Sequence, residues 1–247
     1  MQHAKTAGCF DFLKKKCHFQ SQDKFIQKES CEYFGSKPSI AVLGDSHAVE
    51  IAYSLAANLK PDGLSINHNT MSSCGYYLKG SNYEKIPQIK EICNKWLQNV
   101  LDKILRNDSL RVIVISFRNE YRLREASYRD ELAKMLNNLV ENGKRVIYVY
   151  QAPLPILHID KYLKKSVALK IKNIYGHHED KWDEIYKGKK DLEEIVSEQV
   201  IFIDPKNIFC ENKRCHVVKD GQALYFDDHH MSIFGSNLIS HQIVKSL

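Results

Sequence analysis

The residues able to do chemistry sit at two distant places in the chain. Residues 41–50 read AVLGDSHAVE: an apolar run stops at Gly44, and Asp45, Ser46 and His47 follow at once. A serine at the turn from a strand into a helix stands on an exposed rim. Its own N–H then opens the helix, where partial positive charge stabilises an oxyanion. The same serine also suits a plain N-cap. Residues 225–232 read YFDDHHMS. Asp227 and His230 are three apart, a spacing that on a turn entering a helix puts a carboxylate behind an imidazole. Such an acid orients the ring, fixes its tautomer and stabilises the imidazolium formed when the histidine takes a serine proton. Two acids beside two histidines also have the residue types of a metal site. No third ligand cluster lies at useful spacing, and neither a CxxC nor a two-Cys, two-His zinc pattern occurs, so no metal and no cofactor is expected.

Positioning these groups is the work of alternating elements. SIAVLGD (39–45) reads as a strand buried on both faces. Ala48, Val49, Ala52, Leu55, Ala56 and Leu59 then fall at helical spacing, which predicts a helix from near Ser46 to just before Pro61-Asp62-Gly63. LSINHNT (64–70) is a second strand, 84–106 an amphipathic helix, and LRVIVISF (110–117) the clearest buried strand. Residues 128–142 read as a helix and RVIYVY (145–150) as a strand ended by QAPLP. The Lys-rich stretch 160–197 reads as helical, QVIFID (199–204) as the last strong strand, and MSIFGSNLISHQIVKSL as a closing helix. Strands alternating with helices predict an α/β fold: a three-layer sandwich whose central, mostly parallel sheet is flanked by helices, flavodoxin-like in kind. Ligands of such sheets lie beyond the carboxyl ends of the strands.

With 247 residues and 43% hydrophobic content the chain can build one sizeable core. Residues 38–247 are expected to form that α/β domain, and residues 1–37, polar and Cys-bearing, an N-terminal extension or linker. The net charge of +6 suits anionic glycans, membrane head groups or nucleic acid. Yet the lysines are scattered. The dense clusters KKK (14–16) and KGKK (187–190) read as solvated surface, so no nucleic-acid partner is expected. Of seven cysteines, Cys210 and Cys215 bracket CENKRC, a loop that a disulfide closes easily, and Cys74 and Cys93 form a second plausible pair. Cys9, Cys17 and Cys31 leave one further bridge and one spare thiol. Disulfides imply an oxidising compartment. The N-terminus has no apolar signal-peptide core and no run of about twenty apolar residues occurs. Export is therefore expected to come from outside this sequence, as for a domain of a larger membrane-anchored protein.

GDSH after the first strand and DxxH before the last helix resemble the SGNH hydrolase superfamily. SIAVLGDSHA and CENKRCHVVKDGQALYFDDHHMS resemble more closely the extracytoplasmic SGNH domains fused to membrane acyltransferases of family 3, which O-acylate surface polysaccharides. Met231 stands where that branch usually has Leu. The resemblance implies that Ser46 is the nucleophile, His230 the general base and Asp227 its orienting acid. Asp228 and His229 then serve the loop or contact substrate, and Asp45 and His47 shape the turn. The oxyanion hole would combine the Ser46 N–H with Gly75 of SSCGYY (72–77) and with Arg118 or Asn119 of SFRN (116–119). Neighbours on an extended strand face opposite ways, so both cannot face the site equally. The resemblance favours Arg118, which falls where the superfamily usually has Asn and where the fused branch often carries Arg; Arg118 suits equally a structural partnership with Asp45. The implied activity is acyl-ester chemistry, O-acetyl transfer to (or removal from) a cell-surface glycan through an acyl-serine. The implied partners are a glycan acceptor, an acyl donor and a membrane-embedded acyltransferase domain in the same or a partner chain, outside the cytoplasm. The alternative is a non-catalytic module that binds and positions glycan for such an enzyme. A third reading, a cytosolic phosphatase-like or nucleic-acid-binding α/β protein, requires that the cysteines be free thiols.

Overall fold

A computed structural model describes residues 17–19, 31–35, 37–72, 74 and 87–247 of the chain. Its centre is a sheet built on β3 (Ile40–Gly44), β4 (Ile66–Met71), β5 (Val112–Ser116), β6 (Arg145–Val149) and β8 (Ile201–Ile203). These five run parallel in the order β4-β3-β5-β6-β8. The chain thus starts in the middle, steps once to one side and then builds to the other. In this doubly wound order the strand sequence reverses between β3 and β5, which makes their carboxyl ends the place for a ligand.

Side chains alternate across the sheet and fill two cores. Ala41 and Leu43 of β3, Ile113 and Ile115 of β5, and Val146 and Tyr148 of β6 point to one face. Ile40, Val42, Val112, Val114, Ile147 and Val149 point to the other, as the twofold period of a strand requires. The first face is covered by α2 (Pro87–Arg106), α3 (Ala126–Glu141), α5 (Glu179–Ile185) and α6 (Lys189–Ile195), through Trp96, Val100, Leu132, Leu136, Trp182 and Leu192. The second is covered by α1 (Val49–Leu59), α4 (Ile159–Leu169) and α8 (Ile233–Lys245), through Ile51, Leu55, Ile159, Ile239 and Ile243. The expected α/β sandwich is what forms. The helix predicted from Ser46 opens as a 3₁₀ turn, Ser46–Ala48, before becoming α1.

Two pieces of the segment before residue 38 join this sheet at β4. β1 (His18–Phe19) lies parallel to its end, with His18 opposite Thr70, and β2 (Cys31–Tyr33) antiparallel to its start, with Cys31 opposite His68. A disulfide between Cys17 and Cys31 ties the two pieces together. β4 itself is buried at all six positions although Asn67, His68, Asn69 and Thr70 are polar. Those groups satisfy one another, which is what makes their burial tolerable. Tyr33 Oη meets His68 Nδ1 at 2.9 Å, His68 Nε2 and His18 Nδ1 meet Thr70 Oγ1 at 2.7 and 2.8 Å, and Asn69 Nδ2 donates to Asn67 Oδ1 at 2.6 Å.

The stretch 160–197 is not helical throughout. It contains β7 (Ile174–His178) between α4 and α5. β7 belongs to a second, antiparallel sheet with β10 (Arg214–Lys219) and β11 (Gln222–Ala223), while β9 (Cys210–Glu211) pairs with β10 on the far side of a tight turn. Five residues are too few to show a period, and the partner that makes them a strand arrives some forty residues later. The disulfides Cys74–Cys93 and Cys210–Cys215 are both present. Cys9 lies outside the described residues. Among the described residues no helix is long and apolar enough to cross a membrane.

Candidate functional site

β3 delivers Ser46 to the switch point between β3 and β5. The handover needs Gly44: a Cβ there would lie 2.0 Å from the Ser116 carbonyl oxygen and 2.5 Å from Ala48 Cβ. Asp45 then folds back on the turn. Its Oδ1 accepts the His47 N–H and its Oδ2 the Arg118 N–H, each at 2.9 Å. One carboxylate so clamps the chain after β3 to the chain after β5. Burial raises the Asp45 pKa to about 6, against the lowering effect of those two N–H groups. The Ser46 N–H heads the 3₁₀ turn that runs into α1, where the first donors of a helix point forward without intrahelical partners.

The second half of the site comes from the loop between β11 and α8. Ser232 caps α8, accepting the Gly235 N–H at 3.1 Å, while its hydroxyl donates to the Ala223 carbonyl at 2.6 Å. A bridge between Tyr225 and Met231 and the bond from Phe226 N–H to the His230 carbonyl, 3.1 Å, close the loop on itself. Tyr225 Oη anchors it to the Pro153 carbonyl. α8 lies along α1, with Ser54 Oγ and Ser236 Oγ at 2.6 Å and Asn58 Nδ2 donating to Asn237 Oδ1 at 3.0 Å. That helix pair sets the loop over the start of α1.

The loop thereby brings His230 to Ser46. His230 Nε2 is 2.9 Å from Ser46 Oγ, and His230 Nδ1 is 2.7 Å from Asp227 Oδ2. Asp227 Oδ1 also accepts the backbone N–H groups of His229 and His230, at 2.9 and 2.7 Å. Burial pushes the Asp227 carboxyl up. The His230 ring and the two N–H groups outweigh it and hold the acid well below the usual carboxylate range. An ionised Asp227 keeps the Nδ1 proton on the ring, which leaves Nε2 as acceptor for the serine hydroxyl. Phe226 stacks on the His230 ring, centroids 5.4 Å apart and planes 3° from parallel.

His47 is buried, with its ring centroid 4.9 Å from that of His230 and 5.5 Å from that of His229. Burial, then the neighbouring charges of His230, His229 and Arg118, push its pKa well below the ordinary histidine value, so it is a neutral imidazole. Asp228 is exposed and holds His229, Oδ1 to Nδ1 2.6 Å. Gly75 lies outside the described residues. Arg118 and Asn119 lie beyond the end of β5, on irregular chain rather than on the strand, and their side chains diverge. The Asn119 amide is fully buried, donating to Tyr148 Oη at 2.5 Å and accepting from Tyr186 Oη. The Arg118 guanidinium is half exposed and pairs with Glu120 at 2.7 Å. Arg118 does partner Asp45, but through its backbone N–H. Two features escaped sequence reasoning. Phe226 had a visible signal, an aromatic residue beside the acid pair; Gln151, whose Oε1 accepts the N–H groups of Asn119 and Glu120 at 3.2 Å each, had none.

The family model of the SGNH domain fused to AT3 domains matches residues 16–245. No curated protein sequence matches the chain. Among solved structures, the periplasmic domain of a lipopolysaccharide acetyltransferase from Salmonella ser. Paratyphi A is similar in fold, with a TM-score of 0.65 at 15% identity over 99% of this chain and 95% of that one. A carbohydrate esterase family 2 enzyme with its carbohydrate-binding domain, from Corynascus thermopiles (Myceliophthora fergusii), gives a TM-score of 0.44 at 14% identity over 86% of this chain and 67% of that one. The family match spans nearly the whole chain, the two motif segments and the sheet that carries them: the protein belongs to the SGNH domains that are fused to AT3 domains.

Proposed function

We propose that this domain carries out acyl-ester chemistry through Ser46, His230 and Asp227, and that its reaction is O-acetyl transfer to, or removal from, a cell-surface glycan. The observation that carries the proposal is the hydrogen-bonded chain from Ser46 Oγ through His230 to Asp227, with both links under 3 Å. His230 Nε2 takes the hydroxyl proton as Ser46 Oγ bonds to the acyl carbon. Asp227 stabilises the imidazolium that results. The Ser46 N–H, Arg118 and Gly75 are assigned to the oxyanion. As the tetrahedral intermediate collapses, the donor's leaving group departs with the proton from His230 and the acyl group stays on Ser46 as an ester. A sugar hydroxyl, or water, then gives its proton to His230 and attacks that ester, and Ser46 leaves with the proton restored. Membership of a family fused to AT3 domains supports a membrane acyltransferase domain as the partner, and the likeness to the periplasmic domain of a lipopolysaccharide acetyltransferase supports a glycan as the acceptor. Three disulfides support a place outside the cytoplasm.

The test is covalent trapping. A fluorophosphonate should label wild-type protein at Ser46, and p-nitrophenyl acetate should be turned over. Ser46→Ala should lose both, and His230→Ala should lose nearly all labelling. Undiminished turnover by Ser46→Ala would refute the assignment. A folded wild-type protein that neither labels nor hydrolyses would leave a glycan-positioning module as the better reading.

A further inference from the structure

We propose that His47, His229 and His230 form a binding site for a late first-row divalent metal ion, and that an ion held there switches the Ser46 centre off. Each of the three rings offers a nitrogen within 4.8 Å of the other two. The centroids of His229 and His230 are 3.9 Å apart, and His47 faces both. The spacing of residues along the chain gave no third ligand beside the 227–230 cluster. The fold supplies one from the end of β3.

The orientation of the rings points the same way. His229 Nδ1 is held by Asp228 and His230 Nδ1 by Asp227, which turns Nε2 of each ring away from its carboxylate. A carboxylate behind the far nitrogen is the usual means of fixing a ligating imidazole and raising its basicity. His47 provides the independent observation. Its side chain is buried among these rings and its Nε2 has no hydrogen-bond partner. A buried polar atom left unpaired is costly, and a cation between the three rings gives it a partner.

The donor set selects the ion. Three imidazoles suit zinc, copper(II) or nickel and suit calcium or magnesium poorly. Zinc–nitrogen bonds of about 2.0–2.1 Å in a tetrahedral site need the nitrogens roughly 3.3 Å apart, so the rings must close by an ångström or so, within reach of side-chain rotation. The fourth position falls to water or to Ser46 Oγ, which already lies beside His230 Nε2. A second set, Asp227, Asp228 and His229, shares one residue with this site. The histidine set is favoured because both acids are already spent on imidazoles.

The consequence for activity rests on the acyl-serine reading. While His230 Nε2 holds a metal it cannot accept the Ser46 proton. Binding itself does not depend on that reading, so calorimetry and activity separate the two. Zinc titrated into the purified chain should bind one ion per chain. His47→Gln and His229→Gln should each weaken binding at least tenfold, while Ser46→Ala should still bind. Zinc should suppress p-nitrophenyl acetate hydrolysis reversibly, with chelator restoring it. In His229→Gln, scored against its own metal-free rate, inhibition should need at least tenfold more zinc. If His47→Gln fails to fold by circular dichroism, His229→Gln and Asp228→Asn carry the test. Affinity unchanged in the histidine variants overturns the site. So does binding that survives His47→Gln and is lost in Asp228→Asn, which would place the ion on the carboxylates.

Discussion

Nε2 of His230 lies 2.9 Å from Oγ of Ser46, although 184 residues separate them in the chain. The contact depends on α1 and α8 lying side by side through Ser54 and Ser236, and on the capped loop that precedes α8. Each half of the site is locally built, and the helix pair fixes the distance between them.

Asp227→Asn should test the carboxylate apart from the shape. Asparagine can still accept the N–H groups of His229 and His230, so folding should survive. It presents no charge to the imidazolium, and it can hold the ring in the wrong tautomer. If Ser46 is the nucleophile, kcat for p-nitrophenyl acetate should fall by about 10²–10⁴, with the thermal midpoint moved by only a few degrees. Unchanged kcat would remove Asp227 from the mechanism.

Arg118 and Asn119 should separate by readout. Asn119→Ala leaves Tyr148 and Tyr186 without their buried partner and should cost about 1–3 kcal/mol of stability in urea unfolding. Arg118→Ala keeps its backbone bond to Asp45 and should fold normally. If its guanidinium meets the oxyanion, kcat/KM should drop by about 10²–10³. A stability loss with intact kinetics in Arg118→Ala would reverse the assignment.

Gly235→Ala sets helix propensity against close packing. In an open helix the change would gain about 1 kcal/mol. Here the added Cβ would lie 2.3 Å from the Leu224 carbonyl oxygen, and backbone cannot yield as a side-chain tip does. The clash should win, with a net loss of roughly 1–3 kcal/mol. Because Leu224 leads into the loop that holds Asp227 and His230, activity should fall with it. Thermal unfolding and hydrolysis on the same preparation check both.

His68 should make the fold acid-sensitive. Burial, then the charge of His18, pushes its pKa down to about 3, whereas the unfolded chain titrates near 6.5. Between these values the unfolded state binds a proton that the folded state refuses. Stability is therefore full above pH 6.5 and declines as pH falls toward 3, by up to about 1.4 kcal/mol per pH unit from this group. His68→Gln should flatten the stability profile between pH 6.5 and 4. A profile identical to wild type would show that His68 does not carry the dependence.

The sequence by itself determined the parts whose geometry is local. GDSH is a strand end with a clamp from Asp45 to His47 two residues on, and DxxH is a carboxylate on an imidazole three residues on. Both are set by short-range backbone geometry, so residue spacing reveals them. The parallel sheet was legible because β3, β5 and β6 are runs of apolar residues long enough to show burial on both faces. Tertiary structure decided the rest. β7 became a strand only because β10 pairs with it from beyond α7 (Lys206–Phe209). The polar β4 could be buried because Tyr33 and His18 arrive from an earlier segment to bond His68 and Thr70. Asn119 was drawn into the core by tyrosines from β6 and from the end of α5. His47 reads in sequence as part of a turn, and only the packing of α8 on α1 puts His229 and His230 against it. Such contacts depend on which surfaces meet after collapse, and a linear pattern holds no record of that.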